Sequence, residues 1–101
     1  MAEFRRLCAA GDLPPGTGRT FHVEGREIAL FNVDGRFHAI DNVCCHAGGP
    51  LGEGMLRGAV VTCPWHSWQF DVTTGRSLMS ELLGVNRFDV RVRDGWVEVS
   101  I

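Results

Sequence analysis

The chain has 101 residues, of which 45% are hydrophobic and 22% charged, and a formal net charge of −2. That describes one ordinary globular domain with a modest core. The charge and the absence of any basic run argue against nucleic-acid binding, and no apolar run approaches the roughly 20 residues of a membrane-spanning helix.

From the N-terminus, MAEFRRLCAAGDLPPG contains no apolar segment of signal-peptide length before Pro14-Pro15-Gly16, so a cytoplasmic location is expected. Thiols stay reduced there, and clustered cysteine reads as metal-binding or catalytic. Cys8 falls on the first predicted strand and reads as a small buried hydrophobe. Leu13 to Gly18 reads as a rigid loop. FNVDGRFHAI is two apolar-rich runs joined at Asp34-Gly35, a strong hairpin signal, and similar turns recur at Glu24-Gly25, Thr74-Gly75 and Asp94-Gly95. His22 and His38 fall on predicted strands with no cysteine nearby and read as structural or surface residues.

Asn42 to about Val61 is rich in glycine (Gly48, Gly49, Gly52, Gly54, Gly58) between β-rich flanks. Glycine at that density fits backbone that passes close to something or adopts positive φ. Ser80–Gly84 offers a single helical turn at most. In FDVRVRDGWVEVS, Phe88, Val90 and Val92 alternate with Asp89, Arg91 and Arg93, and Val97 and Val99 alternate with Trp96 and Glu98. That period belongs to half-buried antiparallel strands. The expected fold is all-β: one domain over 1–101, a small antiparallel sandwich or barrel. Its base comprises residues 1–41 and 85–101, and a metal-bearing subdomain is inserted at about 42–84.

The chemistry is concentrated in CCHAGGPLGEGMLRGAVVTCPWHSWQF, from Cys44 to Phe70. Cys44-x-His46 is followed, after a gap, by Cys63-x-x-His66. Thiolates and imidazoles at such spacing mean metal. Each loop offers one of each, whereas a Cys₂His₂ zinc finger places two cysteines on a knuckle and two histidines on a helix. A Cys44–Cys45 disulfide is disfavoured, because adjacent Cα atoms lie only ~3.8 Å apart. Cys45 reads as a bystander, since Cys44 preserves the C-x-H spacing.

Two loops of one Cys and one His suit a two-iron cluster with the cysteines on one iron and the histidines on the other. The stretches Cys44-Cys45-His46-Ala47-Gly48-Gly49-Pro50-Leu51 and Cys63-Pro64-Trp65-His66-Ser67-Trp68-Gln69-Phe70-Asp71 resemble the Rieske [2Fe-2S] family. The resemblance implies one [2Fe-2S] cluster held by Cys44, His46, Cys63 and His66, with the histidines at an exposed tip and the cysteines on the inner iron. With neutral imidazoles the oxidised centre carries no net charge, whereas four thiolates leave it doubly negative. An electron is therefore easier to add, and Rieske centres lie at roughly −150 to +300 mV against about −400 mV for plant-type ferredoxins.

Departures from the family place the chain within that range. High-potential relatives carry a disulfide at the positions of Gly49 and Trp65, and Ser and Tyr hydroxyls at those of Trp68 and Phe70. Fewer donors toward the cluster imply a low potential. Ser67 stands where many relatives have Gly, and Leu78, Met79, Leu82 and Leu83 are expected to cover the cluster. The chain has no G-x-G-x-x-G, no P-loop and no second, oxygen-activating metal site, so it reads as an electron carrier rather than an enzyme. The resemblance implies a flavin-dependent reductase as donor and a terminal oxygenase as acceptor. The alternatives are the small subunit of an assimilatory nitrite reductase and a zinc-stabilised interaction module.

Overall fold

The computed structural model describes residues 3–44, 48–65 and 67–101. Their strands are β1 (Phe4–Ala9), β2 (Gly18–Val23), β3 (Arg26–Val33), β4 (Arg36–Asp41), β5 (Met55–Arg57), β6 (Val60–Thr62), β7 (Gln69–Asp71), β8 (Arg87–Phe88), β9 (Val90–Arg93) and β10 (Trp96–Ser100). The only helical pieces among the described residues are 3₁₀ turns at Ala10–Asp12 and Leu51–Glu53, and no helix is long and apolar enough to cross a membrane. The all-β expectation is met, and Ser80–Gly84 forms no more than a turn, with the Leu83 N–H donating to the Ser80 carbonyl.

Three of the four expected hairpin turns have positive φ at both central residues: Glu24-Gly25, Asp34-Gly35 and Asp94-Gly95. This mirror-image turn geometry matches the twist of paired strands. Thr74-Gly75 differs. The Gly75 N–H donates to the Asp71 carbonyl four residues back, so the pair ends a wider turn rather than a two-residue hairpin.

The strands form three antiparallel sheets, ordered β2-β3-β4-β8, β1-β10-β9 and β5-β6-β7. The alternating run at 88–93 does not stay in one sheet. Phe88 pairs with Ala39 of β4, whereas Val90 pairs with Val99 of β10. The chain changes sheets at Asp89, whose carbonyl accepts from the Ser100 N–H.

β3 is buried on both faces because it stands between two cores. Ile28, Ala29, Leu30 and Phe31 are all fully inaccessible. Successive strand residues point to opposite sides, so Ile28 and Leu30 join Cys8, Leu13, Ala39, Phe88, Val97 and Val99. Ala29 and Phe31 join Ile40, Leu51, Val61, Phe70, Val72, Cys44 and Cys63. The second core thus links the central sheet to both motif cysteines.

Cys8 is buried as expected, and burial pushes its thiol pKa up. Glu98 is buried although it alternates outward: it lies between Arg91, whose Nε donates to it at 2.6 Å, and Arg6 at 4.0 Å. Those guanidinium groups also stack on Phe4 and Trp96. His22 is exposed beside Glu27. His38 is half-buried on β4, and burial, with help from Arg87 and Arg36, pulls its pKa down against an opposing effect of Asp71.

Two outcomes follow from this packing. A Cβ at Gly18 would stand 2.5 Å from Cδ1 of the fully buried Phe31 ring, so Gly18→Ala should lower stability in urea by about 1–3 kcal/mol; an unchanged midpoint would show that the ring is loosely held. For His38, the unfolded chain takes up a proton near the ordinary value of 6.5, and the folded chain only at lower pH. Its contribution is therefore complete above that value and lost as pH falls through the depressed folded pKa. Between about pH 7.5 and 5.5 the native chain should lose more stability than His38→Gln, and equal losses would contradict this.

Candidate metal centre

The two cysteine loops are closed by the same pair of backbone hydrogen bonds. In the first, the Cys44 N–H donates to the Gly49 carbonyl at 2.9 Å and the Gly48 N–H donates to the Cys44 carbonyl at 2.8 Å. In the second, the Cys63 N–H donates to the Trp68 carbonyl at 2.7 Å and the Ser67 N–H donates to the Cys63 carbonyl at 3.0 Å. The offsets are identical: from the cysteine to the fifth residue on, and from the fourth residue back to the cysteine. The fourth residue has positive φ in both, 75° at Gly48 and 61° at Ser67. An L-residue held there costs about 1–2 kcal/mol, which explains a glycine in the first loop and makes Ser67 a strained substitute in the second.

Each loop grows from a strand pairing. Val43 bridges to Pro50 at the neck of the first, and Thr62 pairs with Gln69 across β6 and β7 at the neck of the second. Cys44 is 2% exposed and Cys63 1%, in the same core as Leu51, Val61, Phe70 and Val72. The two loops meet at Gly49. A Cβ there would stand 2.6 Å from Cys63 Sγ, and 3.1 and 3.2 Å from Cγ and Cβ of Trp65. The backbone of one loop thus lies directly against the thiol of the other, at a spacing that only glycine permits.

This arrangement fits a small thiolate-ligated cluster: two soft donors on facing loops, shielded from water by apolar side chains. Cys45, His46 and His66 lie outside the described residues, so the structure places two of the four expected ligands, and it brings those two loops together.

The positions flanking the cysteines behave in different ways. Gly49 and Trp65 do face each other, as the positions of a family disulfide should, but neither carries sulfur. Phe70 is fully buried and Trp68 packs half-buried against the same core, so neither brings a hydroxyl to the loops. Leu78, Met79, Leu82 and Leu83 are all exposed, Leu82 almost completely. Ser77 and Leu78 run back along β7, through the Phe70–Ser77 bridge and a Leu78 N–H bond to the Gln69 carbonyl. Leu78 there lines an open groove of about 390 Å³ with Met55, Arg57, Val60, Thr62 and Gln69. Sequence reasoning missed Asn42, a buried amide two residues before Cys44. Its only signal was a polar residue between an apolar strand and the first cysteine.

Comparison with known proteins agrees with this geometry. Residues 3–84 match the model of the Rieske [2Fe-2S] domain. The ferredoxin component of the naphthalene 1,2-dioxygenase/salicylate 5-hydroxylase systems of a Ralstonia species is 41% identical over 71 residues, covering 70% of this chain and 68% of that protein. The fold superposes with a TM-score of 0.89 on a structure of the complex of reduced oxygenase and oxidised ferredoxin in carbazole 1,9a-dioxygenase, at 35% identity over 96% of this chain and 92% of that one. A structure described as the small subunit of an NADH-dependent nitrite reductase from Mycobacterium tuberculosis gives a TM-score of 0.90 at 28% identity, over 100% and 96%. With paired cysteine loops of one design and a family match over most of its length, the chain belongs to the Rieske [2Fe-2S] family, as a ferredoxin that carries one cluster and transfers one electron at a time.

Proposed function

We propose that Cys44 and Cys63 hold the inner iron, His46 and His66 the outer, and that the chain passes electrons from a flavin-dependent reductase to a terminal oxygenase in the cytoplasm. The observation that carries the ligand reading is the matched pair of loops, each opened by a buried cysteine and touching at Gly49. When bound, the cluster takes up and releases a single electron. The protein supplies the surroundings. Phe70, Leu51 and Val61 keep water from the thiolate side, and the loop backbones fix both cysteines. The exposed Trp65, Met55, Leu78 and Met79 provide an apolar surface on the same subdomain (residues 42–84) for a transient partner. The oxygenase assignment rests on the ferredoxins that this chain resembles, one of which forms a complex with its oxygenase.

The structural likeness to a nitrite reductase small subunit favours a second reading, in which the chain is a fixed subunit of a larger reductase. Stable co-purification with a large sirohaem subunit would support it. NADH-driven turnover on adding separate reductase and oxygenase components would support the carrier.

The ligand set predicts that Cys44→Ser and Cys63→Ser abolish the visible cluster spectrum while Cys45→Ser leaves it unchanged; loss in Cys45→Ser alone would reassign the first ligand. Gly49→Ala should cut cluster content several-fold while the chain still folds, because its Cβ would press on Cys63 Sγ. Lacking hydroxyls at Trp68 and Phe70, the cluster should titrate in the lower part of the roughly −150 to +300 mV range, and a midpoint near the top would contradict the low-potential reading.

A further inference from the structure

We infer that Asn42 is a positioning residue for the cluster, acting through the loop that carries Cys44; the inference rests on Cys44 being a ligand. Asn42 is 1% exposed and makes five hydrogen bonds that join three separate parts of the chain. Its Oδ1 accepts from the Gly52 N–H at 2.7 Å and from the Thr20 hydroxyl at 2.8 Å. Its Nδ2 donates to Glu27 Oε1 at 3.1 Å. Its backbone N–H donates to the Glu27 carbonyl at 3.0 Å, and its carbonyl accepts from the Leu51 N–H at 2.7 Å. The amide orientation is settled by chemistry: a backbone N–H can only donate and a carboxylate can only accept.

These bonds close the neck of the first loop. The chain leaves the central sheet at Asn42, turns through Cys44 and Gly49, and returns at Leu51-Gly52 to the same residue, Leu51 to its carbonyl and Gly52 to its side chain. The contact is close enough to require glycine, since a Cβ on Gly52 would meet Thr20 Oγ1, with Thr20 N at 2.8 Å and Arg19 C at 2.9 Å. The loop therefore takes its position from β2 and β3. The second loop is set differently, by pairing of β6 with β7. Asn42 thus fixes where the Cys44 loop stands relative to the Cys63 loop, and hence the geometry of any cluster shared between them. Groups that hydrogen-bond a ligand directly change metal affinity about 10–100-fold when removed; Asn42 acts one step further out, through the loop backbone, so a smaller change is expected.

The test uses cluster-loaded protein and reads the midpoint potential, the EPR spectrum of the reduced form and the rate of iron loss to a chelator. Asn42→Ala should shift the midpoint, alter the g-values and speed iron loss several-fold. Asn42→Asp places two carboxylates together and should show the same changes. Combining it with Glu27→Gln restores the bond with donor and acceptor exchanged at unchanged net charge, and should return all three readouts toward the native values. Should Asn42→Ala fail to fold, Thr20→Val removes one donor and should give the same changes at smaller size. Native spectra and midpoints in the folded Asn42 variants and in Thr20→Val, or no rescue by the double variant, would overturn the inference. Retention of the cluster by Cys44→Ser would instead overturn the ligand reading beneath it.

Discussion

The two-sided burial of β3 is the constraint on which the rest depends. Ile28, Ala29, Leu30 and Phe31 contribute to two cores at once, and each large side chain fully withdrawn from water contributes about 1.5–3 kcal/mol. One core closes against the β1-β10-β9 sheet. The other extends past Ile40 to Leu51, Val61 and Phe70, and it contains the cysteines. The cysteine loops are therefore mounted on the central sheet through a shared hydrophobic layer, not appended to its edge.

Electrostatics and packing act together at the loops. Burying thiolates is costly unless their charge is neutralised, which a cluster iron held by Cys44 and Cys63 would do. Replacing two of four thiolates with imidazole removes the remaining negative charge of the oxidised centre, which makes reduction easier. The chain then withholds further help. Trp68 and Phe70 pack into the core and carry no hydroxyl, and the facing pair Gly49 and Trp65 carries no sulfur to bridge the loops. Ser67 accepts a left-handed backbone that favours glycine, a local strain tolerated because the Cys63 turn requires that φ.

Much of this was legible in the sequence because it is local. Asp34-Gly35 and Asp94-Gly95 announce their turns within two residues, and Val97 and Val99 declare a face by period two alone. The cysteine motifs could be read because their spacing is the chemistry. What could not be read depends on contacts distant along the chain. Asn42 bonds to Thr20, Glu27 and Gly52, and nothing in the intervening residues signals those meetings. Glu98 reads as a solvated strand residue until Arg6 and Arg91 are placed on either side. The change of sheet at Asp89 is invisible in an unbroken alternation. The outward placement of the apolar Leu78, Met79, Leu82 and Leu83 is likewise not written in their composition.

The most direct test of the central claim is low-temperature EPR, with visible absorption, of the protein purified without added metal and reduced with dithionite. Mixed ligation by two cysteines and two histidines predicts a red-brown protein whose reduced form has an average g well below that of an all-cysteine [2Fe-2S] centre. A colourless protein with stoichiometric zinc, or a spectrum with all-cysteine g-values, would contradict it.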